Sequence, residues 1–147
     1  MRVVPQRGFS FTEILAVMAL LTILLIVAVP HLVVPETTQA RVPAREIAAD
    51  LRVTQRLAIA RRGDFVLEFA PLAPPYTQYT IRPAAGGPEP DFPKALNAGV
   101  VVSGPQQFVF RPDGSASPGG AITVTADGAT ATVQVMAATG RVTVTGP

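Results

Sequence analysis

The sequence predicts an α+β chain, a long N-terminal hydrophobic α-helix followed by an antiparallel β domain. Three observations lead there. An apolar run fills Ile14–Val29, helical periodicity runs from Ala44 to Gly63, and strict alternation with turn residues takes over after Gly63. At 147 residues, the chain has room for one small globular core beside the apolar run.

Composition removes several function classes. With 48% hydrophobic and 15% charged residues and no cysteine, neither charge-driven disorder nor a disulfide scaffold fits. Thiol catalysis and cysteine zinc sites are excluded, and any Ser-His-Asp arrangement must run through His31, the single histidine. No carboxylate pair, metal cluster or phosphate loop can be assembled, so no enzymatic activity, metal or cofactor is expected. His31 is assigned no role.

The stretch ILAVMALLTILLIVAV stays apolar through Leu32–Val34 after Pro30 and His31. Taken to Val34 it would rise about 30 Å as a helix, the thickness of a bilayer's hydrocarbon core. A secretory signal would have a shorter centre and a small-residue cleavage site, which Ala28-Val29-Pro30 does not supply. A plain anchor with Arg2 and Arg7 held in the cytoplasm leaves Glu13 unexplained, and a core helix this long would need a polar face.

The segment RGFSFTEILAVMALLTILLIVAVP resembles the class III signal of type IV pilins and type II secretion pseudopilins. The resemblance implies that a prepilin peptidase cuts between Gly8 and Phe9, that Phe9 is then N-methylated, and that the apolar helix stays on the mature chain. It also matches Glu13 to the family's assembly glutamate and Pro30 to a helix-bending proline. Gly8, without a side chain, lets the backbone lie close in a protease cleft. Glu13 is costly at the edge of hydrocarbon unless it has a partner. The new α-amino group of Phe9 on a neighbouring subunit supplies one. Removing Arg2 and Arg7 leaves basic and acidic side chains equal in number, so the apparent basicity belongs to the leader and says little about nucleic acid.

Pro30 should kink the helix near Val27–His31, and Pro35 and Pro43 predict an irregular course as far as Pro43. Beyond it, AREIAADLRVTQRLAIARRG predicts a helix with Gly63 as its stop. Ala44, Ile47, Leu51, Thr54 and Ala58 share one face, which should pack on the domain. Arg45, Arg52 and Arg56 share another, joined by Arg41 if the helix continues through Pro43. Such a stripe suits DNA phosphates, a solvated face or subunit contacts. Arg61 and Arg62 complement the dipole at the helix end.

Strands are predicted at Phe65–Phe69, Tyr79–Arg82, Gly99–Ser103, Gln107–Arg111, Ala121–Thr125, Thr130–Met136 and Arg141–Thr145. The last three should form a meander turning at Asp127-Gly128 and Thr139-Gly140, with Ile122, Val124, Val133, Val135, Val142 and Val144 inward and threonines toward water. The proline-rich stretches Pro71–Pro75 and Pro83–Pro93 read as stiff surface loops.

From about Leu51 onward the chain is similar to the GspH/FimT family of minor pilins and pseudopilins. An Arg/Ala-rich helix, a phenylalanine strand running into a Pro/Asp-Gly turn and a terminal Gly-Arg hairpin carry the likeness, here in Phe108, Phe110, Gly114, Gly140 and Arg141. The likeness implies a long N-terminal helix packed on an antiparallel β-sandwich. The cysteine pair of many major pilins is absent, and no carboxylate cluster resembles the calcium site of major pseudopilins. Asp113 and Asp127 read as turn residues.

The expected organisation is a leader at 1–8, a transmembrane and assembly helix at 9–34, its amphipathic continuation at 35–63 and the β domain at 64–147. The expected function is that of a non-catalytic minor pilin or pseudopilin. Its expected partners are prepilin peptidase, the inner membrane, which it crosses once with the C-terminal domain outside the cytoplasm, and then other subunits near the tip of a filament. The alternative is a DNA receptor in natural transformation acting through Arg141, Arg111, Arg45, Arg52 and Arg56.

Overall fold

The structure, a computed structural model, describes residues 10–28 and 36–146. The Gly8–Phe9 junction, Pro30, His31 and Pro35 lie outside the described residues. Two compact units divide the chain, Met1–Val34 and Pro35–Pro147.

In the first unit, α1 runs Phe11–Ala28. Its start is built on Ser10, whose carbonyl accepts from the amides of Glu13 (2.9 Å) and Ile14 (3.2 Å). Ile14, Leu15, Val17, Met18, Leu20 and Leu21 are all exposed, so the apolar surface runs right round the helix and has no preferred buried stripe. At 18 residues α1 rises about 27 Å. Among the described residues no helix is long and apolar enough to cross a membrane.

The second unit begins with α2, Glu36–Arg61. From Glu36 to Pro43 the expected irregular course is corrected, because α2 passes through Pro43 without a break, and the part of that expectation at 29–35 lies outside the described residues. Proline removes one amide donor, that toward the Gln39 carbonyl. Pro43 is itself buried within the packed face, so tertiary burial outweighs the lost bond. Ala40, Ala44, Ile47, Ala48, Leu51, Thr54 and Ala58 are 0–1% exposed, and small side chains recurring at helical spacing let the sheets approach closely. The helix stop also differs from expectation by one residue. Arg62 carries the left-handed conformation (φ 51°), while its amide bonds Ile59 and that of Gly63 bonds Ala58. This double closure is a Schellman cap with Gly63 just beyond the left-handed position.

Nine strands follow: β1 (Phe65–Ala70), β2 (Gln78–Pro83), β3 (Lys94–Ala95), β4 (Val100–Ser103), β5 (Gln107–Phe110), β6 (Ala116–Ser117), β7 (Gly120–Ala126), β8 (Ala129–Val135) and β9 (Val142–Thr145). They form two antiparallel sheets, ordered β3-β2-β1-β5-β6 and β4-β7-β8-β9. The first sheet contributes Phe65, Leu67, Phe69, Ile81, Phe108 and Phe110 to the core, and the second Val102, Ile122, Val124, Val133 and Val135. Alternation dictates this division, since each strand sends every second side chain inward. Helix α2 packs against both sheets, chiefly on β8 and also on β7, β9 and β1. The fold is α+β, a helix on an antiparallel β-sandwich. The two-residue strands β3 and β6 are the only ones the sequence reading did not anticipate, being too short to show alternation.

The β7–β8 turn is a two-residue hairpin. Asp127 (φ 47°) and Gly128 (φ 82°) both take positive φ, the requirement of a two-residue type I′ hairpin. It fixes the register Ile122↔Val133 and Val124↔Ala131, which keeps both apolar rows inward.

Candidate functional site

Two turns that are far apart in sequence converge on one side of α2. In the first, the carbonyl of Arg111 accepts from Gly114 and its amide bonds Ser115 (both 2.9 Å). Asp113 closes this turn as its Oδ1 accepts from the Ser115 amide (2.9 Å) and hydroxyl (2.6 Å). Those two bonds hold the Asp113 carboxyl below the usual carboxylate range. In the second turn, Gly140 (φ 60°) donates to the Met136 carbonyl, and Met136 donates to that of Arg141.

Gln55 joins the two. Its Nε2 donates to the carbonyls of Gly114 (2.7 Å) and Thr139 (2.9 Å), using both amide hydrogens on backbone acceptors. One helical turn earlier Arg52 donates from Nη2 to the Val142 carbonyl (3.0 Å), reaching the first residue of the edge strand β9. Gly114 and Gly140 are consequently buried. A Cβ at Gly140 would overlap the Gly114 carbonyl oxygen and the Gln55 amide, so the residue must be glycine both for its φ and for the close approach.

The predicted site residues among the described residues fall into three groups. Arg52, Arg111 and Arg141 belong to the region around the clasped turns, and all are exposed. Arg45 and Arg56 lie on the same helix, also exposed, with Arg45 about 10 Å along the axis from Arg52. Glu13 stands apart in the first turn of α1, exposed among apolar neighbours. Gly8, Phe9 and Pro30 lie outside the described residues. Threonine occupies position 143 in β9, leaving Arg141 as the basic residue of this hairpin.

Sequence reasoning missed Gln55. The available signal was a lone amide at the border between the apolar face and the arginine stripe of α2, with two distant turn glycines in need of a partner.

It also missed a second anchor. Asp50, 8% exposed, accepts at Oδ2 from the Tyr79 hydroxyl and the Lys94 ammonium, each at 2.7 Å. This ties α2 to β2 and β3. Burial, with the Asp50 carboxylate beside it, pushes the Tyr79 hydroxyl far above its ordinary value. Lys94 lies over the Phe92 ring, 5.2 Å from its centroid. No group of three His, Asp or Glu able to hold a metal occurs among the described residues.

Comparison with known proteins identifies the family and the fold. Residues 43–140 match the family model described as Type II transport protein GspH, a span that runs from Pro43 in α2 to the clasped Gly140. Residues 5–29 match the prokaryotic N-terminal methylation motif. The type IV minor pilin FimU of Pseudomonas aeruginosa superposes with a TM-score of 0.58 at 15% identity, over 71% of this chain and 91% of that one. The minor pseudopilin EpsH from the type 2 secretion system of Vibrio cholerae gives 0.57 at 13% identity, over 74% and 98%. No curated protein sequence matches the chain. The family match thus spans most of the folded domain, from α2 through β8 to Gly140, behind a methylation motif at the N-terminus, and the chain belongs to the GspH family.

Proposed function

We propose that the chain is a non-catalytic minor subunit of a type IV pilus or type II secretion pseudopilus. It is processed by prepilin peptidase between Gly8 and Phe9, methylated at Phe9, and assembled at or near the filament tip. The observation that carries this reading is the order of parts, a methylation motif at residues 5–29 directly followed by a GspH domain at residues 43–140. The similarity to FimU, a minor pilin, and EpsH, a minor pseudopilin, supports the minor role, as does the lack of cysteine.

Before assembly the apolar helix holds the subunit in the inner membrane, with the β domain outside the cytoplasm. Within a filament a bundle of such helices replaces lipid as the surroundings of the apolar side chains. Cleavage creates a positive amine on Phe9. Glu13 neutralises that amine on a neighbouring subunit, which accounts for an acidic residue in the first turn of a helix that otherwise carries no charge. Mass spectrometry of the protein from cells containing the peptidase tests the processing step. A terminus at methylated Phe9 is expected, and an intact Met1 would refute it.

A second reading, DNA capture in natural transformation, draws on the convergence of Arg52, Arg111 and Arg141 around the Gln55 clasp, with Arg45 and Arg56 along the same helix. It requires binding by the domain that falls steeply with salt. The absence of any binding at low salt would eliminate it.

A further inference from the structure

The face of α2 turned away from the sheets is not uniformly polar. At about 100° per residue, Arg41, Arg45, Arg52 and Arg56 fall within an arc of about 60°, stretching about 22 Å along the axis. Directly beside them Val42, Ala49, Val53 and Ala60 occupy a second arc of about 40°. All eight residues are exposed, Val42 at 58% and Val53 at 41%. No acidic residue falls within either arc, since Glu46 and Asp50 lie further round the helix. Among the described residues, none of the four arginines is in an ion pair.

We infer that this face of α2 rests on an anionic phospholipid surface while the subunit is held in the membrane. The inference builds on the proposed membrane insertion of the apolar helix. Two features favour lipid over other anions. A basic strip alongside an aliphatic strip is the pattern of a helix lying at the headgroup boundary, where arginines meet phosphates and short aliphatic side chains enter the acyl edge. Duplex DNA would engage the arginines and offer nothing to Val42 and Val53. Position in the chain points the same way, because Arg41 follows soon after the apolar run that ends at Val34. Charge attraction to an anionic leaflet decays within a Debye length, so basic residues close to the inserted segment gain most.

The unit Pro35–Pro147 contains every residue of the hydrophobic core, so it is suited to a test without the apolar helix. Its co-sedimentation is measured with vesicles of phosphatidylcholine alone and with added phosphatidylglycerol, at low and high salt. The expected result is binding to the anionic vesicles only, lost at high salt. Each arginine removed should weaken it about fivefold, so Arg45→Gln with Arg56→Gln should lower the partition coefficient about 25-fold. Val53→Asn should weaken vesicle binding severalfold and leave any DNA binding unchanged. Circular dichroism checks that these exposed substitutions leave the fold intact.

Equal affinity for neutral vesicles, or binding to duplex DNA without binding to vesicles, overturns the inference. So does concentration-dependent dimerisation that the same substitutions abolish, which assigns the face to a second copy. Insertion of the full chain into phosphatidylcholine bilayers is measured in parallel. If the full chain inserts and the domain ignores phosphatidylglycerol, the lipid-docking inference alone fails. If the full chain does not insert, the membrane reading fails with it.

Discussion

Substitution of Gly140 by alanine probes the clasp most directly. The new Cβ would meet the Gly114 carbonyl oxygen and the Gln55 amide, so one of the two must move. Moving Gln55 sacrifices its bonds to both Gly114 and Thr139, and moving the Gly114 carbonyl sacrifices the first of them, each bond being worth about 1 kcal/mol in net terms. Alanine at φ 60° adds about 1 kcal/mol of backbone strain. The expected cost is about 2–3 kcal/mol, a large fraction of the 5–15 kcal/mol typical of a domain. Gly128 provides the control, with a similar positive φ (82°) and nothing within 4 Å of its would-be Cβ. Gly128→Ala should cost only about 1 kcal/mol. Urea titrations of the Pro35–Pro147 unit, followed by circular dichroism, measure both variants. Equal losses at the two positions would show that backbone conformation alone matters there, and would refute the close-approach argument.

Other perturbations test separate parts of the fold and the site. Asp50→Ala strands the Tyr79 hydroxyl, buried at 2% exposure, and should cost about 2–3 kcal/mol in the same titration. The partly exposed Lys94 can turn to water. Arg61→Ala, by contrast, should cost under about 1 kcal/mol, since the Arg61 side chain in its pair with Glu89 is 54% exposed. The raised Tyr79 value has a definite sign: its contribution is complete below the unfolded tyrosine value near 10 and is lost as the solution becomes more alkaline. The wild-type urea midpoint should therefore fall above about pH 10 more steeply than that of Tyr79→Phe. Glu13→Ala should permit cleavage before Phe9 yet reduce incorporation into filaments, so normal incorporation would undo the proposed pairing with the Phe9 amine.

Periodicity made the regular elements legible in the sequence. Alternation in AITVTADGATATVQV, together with Asp127-Gly128, determines both β7 and β8 and their register, because a one-residue slip would turn every valine outward. The buried face of α2 was legible for the same reason. Burial also explains where the reading went wrong. Pro43 looked like an interruption when only local propensity was counted, but the face on both sides of it is covered by the sheets, and packing dominates a single missing bond. Strands β3 and β6 are held by neighbours rather than by pattern. Lys94 is placed by Asp50, on another element, and Ala116 by its bond to the Ala137 carbonyl. The clasp was hidden in the same way, since its acceptors are backbone carbonyls and any residue type can supply one.

The two kinds of polar residue on α2 make separable demands on experiments. Gln55 spends both amide hydrogens on backbone within the domain, so its loss must register as instability before it registers as altered binding. Arg45 and Arg56 are exposed, and their loss should leave the unfolding transition in place while changing whatever the face touches. Arg52 has both roles. One guanidinium nitrogen steadies the Val142 carbonyl, which blunts an edge strand that could otherwise pair with another chain, and the remaining donors face outward with the arginine stripe. Arg52→Lys keeps the charge but gives up the planar fork that reaches β9. Its domain should therefore unfold at lower urea yet bind anionic vesicles as the wild type does, whereas weakened vesicle binding at unchanged stability would show that the fork serves the outer face instead.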